Sequence, residues 1–126
     1  MGLVGIVLVS HSEQLASGLR DLLRQVAPSV PVHAAGGTDD GDLGTSPDRL
    51  AEAITAAGSD AGVIILADLG SAVLTARAVL DDMPGPVLVD APFVEGAVAA
   101  AVTASTGAGL DEVAEAAREA RDVPKF

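Results

Sequence analysis

LVGIVLV (residues 3–9) runs directly into SHSEQL (residues 10–15). The first segment is short, β-branched and apolar at successive positions. Both of its faces need covering, as in a strand buried within a parallel sheet. The second segment breaks the run with Ser10, His11, Ser12 and Glu13. Leu15, Leu19, Leu22, Leu23 and Val26 then recur at helical spacing until Pro28 stops the helix. A buried strand that turns through polar residues into an amphipathic helix opens an alternating α/β chain.

The rest of the sequence keeps that alternation. VPVHAA (30–35) reads as a weaker strand, and its proline points to a sheet edge. GGTDDGDLGTS (36–46) is a polar loop rich in Gly and Asp. Ser46 followed by Pro47 predicts an N-cap with proline in the first helical position. Leu50, Ala53, Ile54 and Ala57 form the inner face of that helix, and Gly58 ends it. GVIILA (62–67) is the plainest strand, and the helix after it starts near Ser71 and stops before PGP (84–86). PVLVD (86–90) is a fourth strand, followed by Ala-rich helices over 93–105 and 110–121. The order βαβαβαβαα predicts a single-domain three-layer α/β sandwich, 1–126. Its parallel sheet has about four strands in the flavodoxin-like order 2-1-3-4, with right-handed crossovers.

Bulk properties narrow the function. Eighteen acids against seven bases give a net charge of −11, and the only lysine is Lys125. Such a surface repels nucleic acid and anionic lipid, so neither is expected as a partner. No cysteine means no thiolate chemistry. The start MGLVGIVLVS lacks a basic n-region and a cleavage site, and no apolar stretch reaches the roughly 20 residues that cross a bilayer. A cytoplasmic domain without cofactor or metal is expected. The sole aromatics are Phe93 and Phe126, so the core must be built from Ala, Val, Leu and Ile.

In open α/β sheets ligands bind beyond the carboxyl ends of the strands, where strand order reverses. For order 2-1-3-4 that point lies between strands one and three. The first ends in Ser10-His11-Ser12 and the third in Asp68-Leu69-Gly70-Ser71. Ser10 and Glu13 have the spacing of a capping box, which would put His11 in the first helical turn. The helix dipole and its free N–H groups would then disfavour imidazolium and welcome a phosphoryl group. Gly70 and Ser71 offer a second helix N-terminus to the same space. Asp68 could bind one ring nitrogen and leave the other free to attack. The plainer alternative makes His11 a capping residue and Asp68 a solvated loop acid. His33, within the edge strand, has no matching partner and reads as structural or idle.

VLVSHSEQLASGL, GGTDDGDLGTS, ADLGSAVLTA and APFVEGAVAAAVTAS, in that order, give the chain a family resemblance from about residue 3 to residue 121. It resembles the phosphotransferase (M) subunits of bacterial phosphoenolpyruvate-dependent dihydroxyacetone kinases. These are similar in fold to the IIA domains of mannose-family sugar transporters. The resemblance to the transport branch is looser, because DLGSA lacks that branch's tryptophan and paired glycines.

The resemblance implies that an HPr-type phosphocarrier charges His11. The phosphoryl group would then pass to ADP on an L subunit, and the resulting ATP would phosphorylate dihydroxyacetone on a K subunit. It implies that Asp68 orients the ring, that Ser12, Gly70 and Ser71 contact phosphate, and that the 36–46 loop lines the same mouth. It also implies a homodimer, for which the Ala/Val-rich C-terminal third is the candidate surface. Longer members carry extra phosphocarrier-like domains, so a chain ending near residue 126 is expected to draw phosphate from a separate protein.

The rivals are a sugar-transport IIA domain and a regulatory binding module of the same fold. A response-regulator receiver would need acids after the first strand and a lysine late in the sheet, a flavodoxin aromatic walls, and a serine hydrolase a G-x-S-x-G elbow. None is present. Which ring nitrogen takes the phosphoryl group depends on the ring's orientation.

Overall fold

The computed structural model describes residues 2–126. Four strands form one parallel sheet: β1 (Gly5–Ser10), β2 (Val32–Gly36), β3 (Val63–Ala67) and β4 (Val87–Leu88), in the order β2-β1-β3-β4. Five helices connect and flank them: α1 (Glu13–Val26), α2 (Pro47–Ala57), α3 (Gly70–Asp82), α4 (Phe93–Ser105) and α5 (Leu110–Glu119). A short 3-10 turn over Ala120–Asp122 continues α5. The predicted strand order and three-layer architecture are therefore those observed.

The unbroken apolar run of β1 is explained by its position. Side chains alternate between faces along a strand, and both faces of β1 are covered. Ile6 and Leu8 point into a core shared with Leu19 and Leu23 of α1 and with α4 and α5. Val7 and Val9 point into a second core made by Leu50 and Ile54 of α2 and Ala72 and Val79 of α3. Helices α4 and α5 lie close because they are built of small residues. A Cβ at Gly96 would sit 3.3 Å from the carbonyl oxygen of Ala117.

Local expectations are met unevenly. Ser46 caps α2 by accepting from the Arg49 N–H, with Pro47 in the first helical turn, and Leu50, Ala53, Ile54 and Ala57 are all buried. Of the five apolar positions on α1, only Leu19 and Leu23 are buried. Ala16 completes the inner face, and Leu15, Leu22 and Val26 lie 44–46% exposed. The apolar stripe is wider than the strip that α1 presents to the sheet. Strand β4 is two residues long rather than five. After the Val89 N–H bonds Ile65 at 3.0 Å, Asp90 turns away and its carbonyl is taken by Arg121.

β2 is an edge, as its proline suggested. Arg24 of α1 donates to the Val32 carbonyl at 3.0 Å, and Arg49 of α2 donates to the Gly36 carbonyl at 3.1 Å. Edge carbonyls that would template another strand are thus occupied. His33 lies beside them, half-buried. Burial first, then Arg24 and Arg20, lower its pKa below the ordinary 6.5.

Candidate functional site

The carboxyl ends of β1 and β3 are adjacent, which brings Asp68 to Ser10 and His11 across separations of 58 and 57 residues. Asp68 is the hub. Its Oδ2 accepts from the Ser10 hydroxyl at 2.9 Å and from the His11 N–H at 3.1 Å. Its Oδ1 lies 3.0 Å from His11 Nδ1 and also accepts from the Leu69 N–H at 2.8 Å. The Asp68 side chain is 9% exposed and that of His11 25%. Burial alone would raise the Asp68 carboxyl. The N–H of His11, the Ser10 hydroxyl and the imidazole outweigh it and hold the pKa below the ordinary 3.8.

That carboxylate sets the tautomer. An ionised Asp can only accept, so Nδ1 must carry the proton that points at it. In the neutral ring the lone pair is then on Nε2. The Ser71 hydroxyl stands 2.5 Å from Nε2 and is the donor to it. Ser71 is the second residue of α3, whose N-cap, Leu69, makes no side-chain cap. The first N–H groups of that helix thus have no side-chain cap, and the helix end carries a partial positive charge suited to an anion. A Cβ at Gly70 would meet nothing within 4 Å, so the space beside it is open.

The capping arrangement at α1 differs from expectation. Ser12, not Ser10, is the N-cap, accepting from the Leu15 N–H at 3.2 Å. His11 consequently precedes α1 and lies outside its first turn. Ser10 is fully buried and serves the site instead, donating to Asp68 and accepting from the Ser12 N–H at 3.1 Å. The helix N-terminus that meets the imidazole through a side chain is that of α3. Ser12 makes no hydrogen bond with the ring; its oxygen is an acceptor for α1, and its hydroxyl proton remains available.

The 36–46 loop does border the mouth. Gly44 donates its N–H to the His11 carbonyl at 2.8 Å, and Thr45 and Thr75 share a hydroxyl contact of 2.7 Å that ties the loop to α3. Neither Thr was legible as a site residue, because their contact spans 30 positions. Gly36 carries no site signal in the sequence either, yet it permits the whole corner. A Cβ there would lie 2.6 Å from the Ser12 carbonyl oxygen and 2.7 Å from Glu13 Cα.

The family model described as the PTS system fructose IIA component, EIIA-man, matches residues 5–114. The chain belongs to the EIIA-man family. This EIIA-man chain is 39% identical over 94% of its length to the phosphoryl donor subunit DhaM of the PEP-dependent dihydroxyacetone kinase of Providencia stuartii. It spans only 27% of that relative, and 27–28% of those from Pantoea ananatis and Klebsiella michiganensis. It is 37% identical over 88% of its length to the phosphotransferase subunit DhaM of the PTS-dependent dihydroxyacetone kinase of Lactococcus lactis, and covers 90% of that relative. The crystal structure of a protein of unknown function, EF1359, superposes with a TM-score of 0.84. It is 37% identical and is matched over 94% of this chain and 95% of that one. Among the described residues of this EIIA-man chain, no helix is long and apolar enough to cross a membrane.

Proposed function

We infer that this chain is the phosphohistidine carrier of a phosphoenolpyruvate-dependent dihydroxyacetone kinase. An HPr-type phosphocarrier charges it, and ADP held on an L subunit discharges it, so that a K subunit can phosphorylate dihydroxyacetone. The observation that carries the reading is the line Asp68–His11–Ser71, in which Nδ1 is held by the carboxylate and the lone pair of Nε2 is met only by the mobile hydroxyl of Ser71. Curated relatives named as phosphoryl donor or phosphotransferase subunits supply the context.

On charging, the Nε2 lone pair forms a P–N bond while the donor's P–N bond breaks and its electron pair returns to the donor ring. The proton on Nδ1 stays between the ring and Asp68, and the Asp68 carboxylate stabilises the positive charge that develops on the imidazole. The Ser71 hydroxyl swings from Nε2 to a phosphoryl oxygen. The first N–H groups of α3 at Gly70 and Ser71, and the hydroxyl proton of Ser12, are the remaining donors. On discharge an oxygen of the ADP β-phosphate forms a P–O bond as the P–N bond breaks, giving ATP and neutral imidazole. Asp68 touches no reacting atom and acts as a positioning residue.

In this reading residues 1–126 act as one phosphotransfer unit in the cytoplasm, as a homodimer, and bind neither hydroxyketone nor free nucleotide. The test is intact mass after incubation with phosphoenolpyruvate, enzyme I and the phosphocarrier. Wild type should gain one acid-labile phosphoryl group, His11→Ala none, and ADP-loaded L subunit should remove it. A charged chain that passes phosphate only to a sugar permease would make it a transport component. An uncharged chain would make it a regulatory binding domain.

A further inference from the structure

The rim around His11 has two unlike halves. On the α2 side the loop carries Asp40 and Asp42 beside Asp39, which is already paired with Arg49 at 3.6 Å and accepts from the Ser46 hydroxyl, and Leu43 stands 79% exposed next to Gly44. On the other side a cleft of about 380 Å³ opens between α3 and the β4 end of the sheet, walled by Val73, Leu74, Leu88 and Val89. Gly70, Leu74 and Arg77 border it at the i, i+4, i+7 spacing of one helix face. Leu69 and Leu74 are 60% and 67% exposed. The cleft begins at Gly70, one residue before the serine that meets Nε2.

Arg77 is exposed and, among the described residues, takes part in no ion pair or side-chain hydrogen bond. The one acid at the cleft, Asp90, is already paired with Arg121 at 3.2 Å. An unoccupied guanidinium beside exposed leucines fits a protein surface that brings an apolar side chain and an anionic group together. The acidic half of the rim fits the opposite sign.

We propose that the two halves serve different partners. The α3–β4 cleft docks the phosphoryl acceptor, with an apolar side chain against Leu74 and an anionic group against Arg77, and the loop docks the donor through a basic face of that protein. Both must reach the same Nε2, so they bind alternately. The proposal rests on the carrier reading above, and it assigns the acceptor the anionic group because that partner holds a nucleoside diphosphate.

The two half-reactions are measured separately, by intact mass for charging from phosphoenolpyruvate, enzyme I and the phosphocarrier, and for discharge to ADP-loaded L subunit. Arg77→Glu and Leu74→Asp change exposed side chains. Each should slow discharge by about tenfold or more while charging stays within about twofold of wild type. Arg77→Lys should recover most of the discharge rate, and Asp40→Lys with Asp42→Lys should show the reverse pattern, slow charging and normal discharge. Unchanged discharge in Arg77→Glu, or equal slowing of both halves, overturns the assignment. So does a loss of dimer in Leu74→Asp by sedimentation, which would give the cleft to a second copy. Failure of the carrier reading is recognised separately, because wild type itself would then either not be charged or, once charged, not be discharged by ADP-loaded L subunit.

Discussion

At the scale of single residues, the site is a carboxylate that fixes a ring. Asp68→Asn keeps the shape but offers Oδ1 or an amide N–H where only an acceptor served before. An amide that donates to Nδ1 imposes the wrong tautomer and ties up the lone pair. Charging of Asp68→Asn should slow by up to about 10⁴-fold, the scale seen when a carboxylate orienting a reactive imidazole is replaced by its amide. Single-turnover mass spectrometry measures this directly. The same carboxylate couples stability to pH. Its folded pKa is depressed, so its contribution is complete above the ordinary Asp value of 3.8 and is lost as pH falls through the lower folded value. Urea melts of wild type and Asp68→Asn should therefore differ most above pH 3.8 and converge in stronger acid.

At the scale of elements, local pattern failed where distant partners intervened. SHSE contains two serines that could each begin α1, and S-x-x-E spacing favours Ser10. The choice is made by Asp68, 58 residues away, which takes the Ser10 hydroxyl and leaves Ser12 as the cap. Ser46-Pro47 had no such competitor for starting α2, and its cap was legible. Hydrophobic period likewise found α1 but overstated its buried width. β4 stops short of Asp90, whose carbonyl is taken by Arg121, again a contact outside any local window. The corner where β2 leaves α1 makes its own demand. Gly36→Ala would drive a methyl group into the Ser12 carbonyl and Glu13 backbone, which are not flexible side-chain ends. A loss of about 2 kcal/mol is expected in denaturant melts. Charging should fall too, because Ser12 follows the histidine directly.

At the scale of the whole molecule, the alternation of buried strands and helices made the architecture and the location of the site readable. The apolar faces of β1 and β3 left only a doubly covered parallel sheet, and that sheet has its crevice where strand order reverses. The ring's orientation was not readable, since it depends on distances between β1 and β3. Nor was the closure of the β2 edge by Arg24 and Arg49. Net charge acts at this scale as well. With −11 overall and three aspartates in the loop beside His11, association with a basic donor should be steered electrostatically. The second-order rate constant for charging should fall several-fold as ionic strength rises from about 0.01 M to 0.15 M, where the Debye length shrinks from about 30 Å to 8 Å. A salt-independent rate would mean that the acids near His11 take no part in encounter.

The four contacts converging on Asp68 have one more consequence. A histidine on a flexible loop would explore its rotamers between transfers, and each encounter would wait for a productive one. Here each ring nitrogen has a partner once the chain folds, Asp68 at Nδ1 and Ser71 at Nε2, so the ordering entropy is spent once rather than at every collision. The imidazole behaves as a fixed terminal, so its exchange with successive partners is governed by how often they arrive in register.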